Sequence, residues 1–199
     1  MLSTAQKILN RIKKKGRGWV FTPSDFADLA TRQNTDVILH RLVIGNKVRN
    51  LGRGIYDFPK THQTLGTLSP APKTIAQAIA RKNGDTIHTS GAMAANLLGL
   101  TTQVPAKPTF VTTGQSKQIH LGKQIIHLVK SNIPNALLKD KDVALILQAF
   151  DYLGVNNIDQ KIINKFSDRL TQKNKTNIRM NLRHIKNSWL STIARDLAT

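Results

Sequence analysis

Apolar side chains recur at helical spacing near the start of the chain, and the residues between them are mostly charged or polar. Ile8, Leu9 and Ile12 fall on one face when this segment is drawn as a helix. Ser3 is a residue type that caps helix N-termini, and lysines fill the last turn of the pattern up to Lys15. The pattern therefore predicts a first helix that begins after Ser3 and ends near Lys15.

The next apolar run, over 19–21, is too short for a helix and predicts a strand. Thr22, Pro23 and Asp25 then occupy the N-cap, first and third positions of a second helix, where each of these residue types is favoured. This helix is predicted to stop near Ala30, because the polar residues that follow interrupt the pattern.

A third helix is predicted over 35–44, after a turn at 31–34, because its apolar residues again form a single stripe. The segment 47–58 has the pattern of a two-stranded hairpin, and Gly52 and Gly54 supply the backbone freedom of its turn. Helix, strand, helix, turn, helix and hairpin in this order are typical of a winged helix-turn-helix. The apolar stripe of the third helix consists of Ile38, Leu39, Leu42 and Val43.

The third helix and the hairpin carry the candidate DNA contacts. Gln33, His40 and Arg41 are expected to read base edges, since the third helix of such a unit lies in the major groove. The basic residues of the hairpin are expected to bind phosphates. The full set of candidates is Arg32, Gln33, Thr35, Asp36, His40, Arg41, Lys47, Arg49 and Arg53.

Residues 62–72 are rich in Thr, Gly, Ser and Pro and lack periodicity, which predicts a linker. The linker separates a winged helix-turn-helix domain at 1–61 from a second domain at 73–199. The second domain is predicted to be a mixed α/β domain with a small antiparallel sheet and C-terminal helices, so the whole chain belongs to the α+β class. Its predicted strands are 110–112, 118–121 and 124–129, and its predicted helices include 74–82, 90–98, 160–170 and 179–197.

The charge of the chain narrows the choice of partners. Thirty Lys and Arg face eleven acidic residues, all of them Asp, which gives a formal net charge of +19. Residues 1–62 alone hold twelve basic and four acidic residues. Such a field attracts polyanions, and nucleic acid is the first of these. Ten aromatic residues in the whole chain are few for a platform that stacks single-stranded bases, which favours double-stranded DNA over RNA.

The residues give little support to catalysis, to a metal site or to a cofactor. Asp85, His88 and Ser90 lie close in sequence, but no nucleophile elbow surrounds Ser90, which precedes a predicted helix as an N-cap. The six His residues form no ligand pair, and the chain has no Cys. We therefore expect a protein that is not an enzyme. The lack of a long apolar segment, of a signal peptide and of Cys predicts a cytoplasmic protein without membrane contact.

Three segments resemble AbiEi-type antitoxins and their DUF6088 relatives. Residues 49–59, with the sequence RNLGRGIYDFP, are similar to the wing of that group. Residues 69–76 (SPAPKTIA) and 89–105 (TSGAMAANLLGLTTQVP) are similar to its second domain, and the last of these segments is the most specific. The resemblance extends over about residues 1–135, and the C-terminal helices match only in being helical.

The resemblance implies a DNA-binding antitoxin that represses the promoter of its own operon and counteracts a nucleotidyltransferase-like toxin. It carries over a recognition helix at 35–44 and a wing at 47–58, and it carries over no catalytic residue. Two alternatives stay open. One is a stand-alone winged-helix regulator whose second domain senses a ligand or dimerises, and the other is an RNA-binding module. Whether the protein forms a homo-oligomer on DNA also stays open.

Overall fold

A computed structural model describes residues 2–122 and 124–199, and the chain divides into two compact units. The first unit contains the residues up to Thr86 together with Gln118–Ile126, and the second contains Ile87–Lys117 and His127–Thr199. Helices and short strands occur in both units. The predicted α+β class is therefore confirmed at the level of mixed helices and small sheets.

The first unit begins with helix α1, Thr4–Lys15, as predicted. The Ser3 Oγ accepts a hydrogen bond from the Gln6 N–H at 3.2 Å and thereby caps the helix. Gly16 ends the helix with a φ of +88°, which residues with a Cβ rarely adopt. The buried face of α1 consists of Ile8, Leu9 and Ile12.

Strand β1, Val20–Phe21, follows α1, and a 3-10 helix then covers Pro23–Phe26. The Asp25 Oδ2 accepts the Thr22 N–H at 2.8 Å, which is one half of the predicted capping arrangement. The second helix of the prediction is thus shorter and tighter than expected, and the chain leaves it after Phe26, whose ring is fully buried.

Helix α2, Arg32–Ile44, begins three residues earlier than the sequence predicts. Thr31 is its N-cap, and the Thr31 Oγ1 accepts the Asn34 N–H at 3.4 Å. The prediction of a turn over 31–34 is therefore wrong for residues 32–34, which form the first helical turn. A cap residue at Thr31 satisfies one of the free N–H groups of this turn and favours a helix start there.

Strands β2, Arg49–Gly52, and β3, Ile55–Asp57, form the predicted hairpin. Strand β3 also pairs with β1 in antiparallel orientation, so the sheet order is β1-β3-β2. The backbone hydrogen bonds of this pairing join the hairpin to β1. Beneath this sheet the two main helices share one hydrophobic core with it. The buried residues of this core are Ile8, Ile12, Phe21, Phe26, Ile38, Leu39, Val48 and Tyr56.

The segment predicted as a linker contains a small exposed hairpin of β4, Thr61–His62, and β5, Gly66–Thr67. Helix α3, Pro72–Asn83, then packs against β1, β3 and the 3-10 helix of the first unit. The Arg81 Nη2 donates to the Val20 carbonyl oxygen at 2.9 Å and fixes the end of this helix to the sheet. The contacts thus assign α3 to the first unit, whereas the sequence places the domain boundary before it. The buried side chains of α3 include Ile75, Ala78 and Ile79.

Four strands form the remaining sheet, in the order β6-β7-β9-β8. Strand β6 pairs with β7 in antiparallel orientation, and β7 pairs with β9 in parallel orientation. The prediction of a purely antiparallel sheet is therefore wrong, because β9 rather than its sequence neighbour β8 lies beside β7. Strand β6 has no counterpart in the prediction. The strands are β6, Ile87–Thr89; β7, Thr109–Thr112; β8, Lys117–Leu121; and β9, Gln124–Lys130.

Six α-helices complete the described part of the second unit. The helix predicted over 179–197 is in fact broken, since α8 ends at Asn181 and a 3-10 turn at Leu182–His184 separates it from α9. None of the helices among the described residues has the length and apolar character that crossing a membrane requires. The helices are α4, Gly91–Leu97; α5, Asn135–Leu138; α6, Lys141–Leu153; α7, Gln160–Ser167; α8, Gln172–Asn181; and α9, Ser188–Leu197.

The core of the second unit is built around α6, whose side chains from Val143 to Phe150 are almost all buried. The rings of Phe150 and Phe166 meet edge to face with centroids 5.8 Å apart. Helix α4 lies against α6, and the Ser90 Oγ accepts the Met93 N–H at 3.4 Å. The predicted N-cap role of Ser90 is thus confirmed.

Candidate nucleic-acid interface

One face of α2 is exposed over its whole length. Residues at spacings of three, four and seven share a helix face. The residues that this spacing brings together on the exposed face are Gln33, Val37, His40, Arg41 and Ile44. Gln33, His40 and Arg41 are three of the nine candidates, so the structure brings the predicted base-reading side chains onto one surface.

Val37 and Ile44 were not among the candidates, although they lie on the same face. Their side chains are 49% and 69% exposed, which is high for β-branched apolar residues of a helix. A recognition helix uses such groups to contact the methyl of thymine. The sequence signal for them was present, since two apolar residues interrupt the polar face of an otherwise regular pattern.

Thr35 cannot contact DNA from its position in α2. Its side chain is fully buried, and its hydroxyl donates to the Thr31 carbonyl oxygen at 3.0 Å. Because α2 begins at Arg32, Thr35 already lies in the helix body and on the side that faces the core. We therefore remove Thr35 from the candidate contacts.

Arg32 and Asp36 pair with each other along the helix. The Arg32 Nε donates to the Asp36 Oδ2 at 2.8 Å, and both side chains are about half exposed. A Cβ added at Gly54 would lie 3.7 Å from the Arg32 Nη2, so the guanidinium rests beside the turn of the β2–β3 hairpin. Burial raises the pKa of the Tyr56 hydroxyl, and the nearby Asp36 carboxylate raises it further. The first turn of α2 thus lies beside the turn of the hairpin.

Arg49 is engaged within the protein rather than free for a phosphate. Its Nε donates to the Asp57 Oδ1 at 3.0 Å and its Nη2 donates to the Asp57 Oδ2 at 2.6 Å. The same Nη2 donates to the Leu68 carbonyl oxygen at 2.9 Å. The Asp57 residue is 1% exposed, and its hydrogen bonds raise the pKa of Arg49. The expected phosphate contact at Arg49 is thus replaced by a two-pronged ion pair that joins β2, β3 and the segment after them.

Lys47 and Arg53 remain as the exposed cations of the hairpin. Arg53 lies at the turn between Gly52 and Gly54 and has a φ of +51°. This left-handed conformation costs a residue with a Cβ about 1 kcal/mol, whereas glycine adopts it freely. Arg53 thus occupies a position with a small conformational cost, and its side chain is exposed.

The carboxylates of the first unit are almost all neutralised by arginines. Four of its five Asp residues form ion pairs, and in each pair the partner is Arg. Among the described residues, no carboxylate lies within ion-pair distance of Arg41, Lys47 or Arg53. The surface charge of the α2 face and of the hairpin turn is therefore positive. The four pairs are Arg11–Asp28, Arg32–Asp36, Arg49–Asp57 and Arg81–Asp25.

The described residues contain no group of three His, Cys, Asp or Glu side chains that could hold a metal ion. Burial lowers the pKa of His88, one member of the rejected nucleophile group. Ser90, the second member, has its hydroxyl engaged at the start of α4. Ser90 is thus the N-cap of α4, and His88 lies in β6.

A family model described as "Family of unknown function (DUF6088)" matches residues 7–178. The match begins within α1 and ends within α8, so it includes the α2 face, the hairpin and most of the second unit. No curated protein shows significant similarity to the chain.

Proposed function

We propose a function for a chain that belongs to the DUF6088 family, a family of unknown function. The proposal is that the protein binds double-stranded DNA in a sequence-specific way, with α2 in the major groove and the β2–β3 hairpin beside it as a wing. Through this binding it represses the promoter of its own operon.

The observation that carries the proposal is the exposed face of α2 with the hairpin turn beside the start of the helix. The face combines one cation, one imidazole, one amide and two apolar groups: Arg41, His40, Gln33, Val37 and Ile44. An arginine can bind guanine in a bidentate way, and a glutamine can bind adenine in the same way. This mixture suits the reading of base edges, whereas a uniformly basic face would suit only the phosphate backbone.

The shape of the unit also supports a duplex as the partner. Proteins that bind single-stranded nucleic acid present aromatic side chains on which the bases stack. In the first unit the aromatic rings of Phe21, Phe26 and Tyr56 are buried in the core, and the partly buried Trp19 and Phe58 pack against the same core rather than forming a row of exposed platforms. An RNA-binding module of the stacking type is therefore the weaker alternative.

The first test replaces the two free arginines of the proposed surface. Arg53→Gly removes a cation and also relieves the left-handed strain, so the variant folds at least as well as the parent. Arg41→Ala lies on an exposed helix face, where alanine is the best helix former. We expect each substitution to weaken binding to a labelled duplex of the protein's own promoter about tenfold.

The two variants are expected to differ in the manner of the loss. Arg53→Gly should weaken promoter and scrambled duplexes equally and reduce the salt slope of log K by about 1, since it removes a phosphate contact. Arg41→Ala should weaken the promoter duplex more than the scrambled one. The matched control is Lys73→Ala/Lys82→Ala on α3, which removes two exposed charges of the same unit. A loss in the control as large as in the arginine variants would contradict the proposed surface.

We further propose that the protein is the antitoxin of a toxin–antitoxin pair, with a nucleotidyltransferase-like toxin as its functional partner. This part rests on the resemblance of residues 49–59, 69–76 and 89–105 to AbiEi-type antitoxins. The second unit has its own hydrophobic core of twenty-two buried residues, which is consistent with a separate role for it.

The antitoxin role is tested by growth rescue. The proposal requires a nucleotidyltransferase-like protein in the same operon, and the test expresses that protein from a foreign promoter, so that repression of the native promoter cannot lower its level. We expect the full chain to restore growth, and the Arg41→Ala variant to restore it equally well. If the wild-type chain gives no rescue while it still binds its promoter, the antitoxin role is wrong and the stand-alone regulator is the better description.

A further inference from the structure

A basic cleft of about 650 Å³ opens in the first unit, and none of the residues that line it belongs to α2 or to the β2–β3 hairpin. We propose that this cleft binds a small organic phosphate that carries a planar aromatic group, and that a nucleoside monophosphate is the representative ligand. The residues that line the cleft are Arg11, Lys14, Lys15, Trp19, Asp25 and Arg81. The inference concerns a site separate from the proposed DNA surface and stands without it.

The charge of the cleft favours an anion. Four of its six lining residues are cations, and its one carboxylate already accepts hydrogen bonds at both oxygens. The Asp25 Oδ1 accepts the Arg81 Nε–H at 3.1 Å, and its Oδ2 accepts the Thr22 N–H at 2.8 Å. The cleft therefore carries a net positive charge, and Asp25 connects Arg81 to the backbone of Thr22.

The two arginines of the cleft are fixed in place yet retain free donors. Arg81 uses its Nε and Nη2 on Asp25 and Val20, and Arg11 uses its Nη1 and Nη2 on Asp25 and Asp28. An arginine has five N–H donors, so within the described contacts three N–H groups of Arg81 and two of Arg11 remain unused. Guanidinium groups that are held rigidly and keep free N–H groups are well suited to bind phosphate oxygens.

Lysines and an aromatic ring complete the site. Arg11, Lys14 and Lys15 lie on one side of α1 by their spacing of three and four, and both lysines are exposed. The Lys15 Nζ lies 6.0 Å from the centroid of the Trp19 ring. Trp19 is only partly buried, and its indole offers an apolar wall next to the cations. A planar base beside a phosphate matches this combination of an aromatic ring and positive charge.

The size of the cleft fits the ligand class. Binding sites for small molecules typically measure about 300–1,000 Å³, and the cleft, at about 650 Å³, falls within this range. Inorganic phosphate alone would leave the aromatic wall without a partner. The volume and the indole together therefore favour a ligand larger than a simple anion.

The cleft and the proposed DNA surface adjoin different edge strands of the three-stranded sheet. Arg81 is bound to Val20 of β1, which is one edge strand, whereas β2 of the hairpin is the other. A duplex bound by α2 and the hairpin turn thus does not require contacts with the residues of the cleft. We infer a free small ligand there and not a second stretch of the DNA backbone.

The experiment follows the indole N–H resonance of Trp19 in the full chain while deoxyadenosine monophosphate is added. The chain has two Trp residues, and Trp189→Phe identifies which resonance belongs to Trp19. We expect a saturable shift with the monophosphate, and binding at least about tenfold weaker for deoxyadenosine, which lacks the phosphate. Inorganic phosphate should also bind more weakly than the nucleotide, since it cannot stack.

Paired lysine variants provide the control. Lys14→Ala/Lys15→Ala should weaken nucleotide binding about tenfold, because it removes two cations of the wall. Lys7→Ala/Lys13→Ala removes the same charge from the same helix at residues that do not line the cleft, and it should leave the affinity within about twofold.

Three results would overturn the inference. The first is the absence of any Trp19 shift at saturating nucleotide. The second is an equal loss in both lysine pairs, which would mean that only the general charge of the chain attracts the nucleotide. The third is displacement of the nucleotide by the promoter duplex, which would assign the cleft to the DNA backbone.

Discussion

Gly91→Ala is expected to lower the free energy of unfolding of the second unit by about 2–3 kcal/mol. A Cβ at Gly91 would lie 2.5 Å from the Tyr152 Cβ and 2.7 Å from the Gln148 carbonyl oxygen. Both atoms belong to the backbone region of α6 and cannot turn away. Helix propensity alone favours alanine over glycine by about 1 kcal/mol. A loss of stability in Gly91→Ala would therefore show that the steric contact outweighs the gain in helix propensity.

The measurement is urea unfolding in a Trp19→Phe background, so that Trp189 of α9 reports on the second unit. Gly99→Ala is the matched control, because a Cβ there meets nothing within 4 Å and only the φ of +71° opposes it. The control should cost about 1 kcal/mol. A Gly91→Ala variant that is as stable as the control would contradict the close approach of α4 to α6.

This contact explains the most specific part of the resemblance in structural terms. The segment 89–105 contains Gly91, Ala94 and Ala95, and the two alanines are fully buried. Small side chains at these positions allow α4 to lie directly on α6, where Gly91 approaches the α6 backbone. The small residues of the segment thus serve packing, which a sequence alone does not distinguish from a binding motif.

The elements that the sequence predicts well are those defined by local signals. Helix α1 follows from a cap at Ser3 and an apolar stripe, and the β2–β3 hairpin follows from the glycines of its turn. These signals act over a few residues and need no knowledge of the partner element. The exposed face of α2 was predictable for the same reason, since periodicity fixes which side chains share a side.

The elements that the sequence misses depend on distant partners. Strand β6 has three residues and exists because it pairs with β7, and the parallel pairing of β7 with β9 skips the neighbouring strand. Helix α3 was predicted as a helix, but its assignment to the first unit follows only from its contacts with β1 and β3. Such pairings follow from long-range packing, which no local pattern encodes.

The candidate site shows the same division between local and distant information. The positive charge of residues 1–62 is visible in the composition, yet the composition does not tell which cations are already paired. Arg49 and Arg53 lie four residues apart in one hairpin and look alike in the sequence. In the structure Arg49 is bound to Asp57 and Arg53 is exposed at the turn. Their expected mutant effects therefore differ in kind.

Arg49→Ala is expected to destabilise the first unit by about 3 kcal/mol, because it leaves the carboxylate of Asp57 buried without its partner. The Asp57 side chain is 2% exposed and the Arg49 side chain is 33% exposed, so the estimate lies at the lower end of the range for buried ion pairs. The measurement is urea unfolding in a Trp189→Phe background, in which Trp19 reports on the first unit.

A double-mutant cycle separates the ion pair from simple loss of packing. Asp57→Asn keeps the shape of the side chain and removes its charge, so it should cost less than Arg49→Ala. The double variant Arg49→Ala/Asp57→Asn should be more stable than Arg49→Ala alone, since no buried charge is left unpaired. If Arg49→Ala and Arg49→Ala/Asp57→Asn were equally stable, the Asp57 carboxylate would not be desolvated in the folded protein.

The same variants decide between a folding role and a phosphate contact for Arg49. If the arginine holds the hairpin in place, Arg49→Ala weakens DNA binding only as far as the hairpin unfolds, and the salt slope measured on the folded fraction stays unchanged. A phosphate contact would give the opposite result, with normal unfolding and a salt slope reduced by about 1. The two hydrogen bonds to Asp57 and the third to the Leu68 carbonyl lead us to expect the first result.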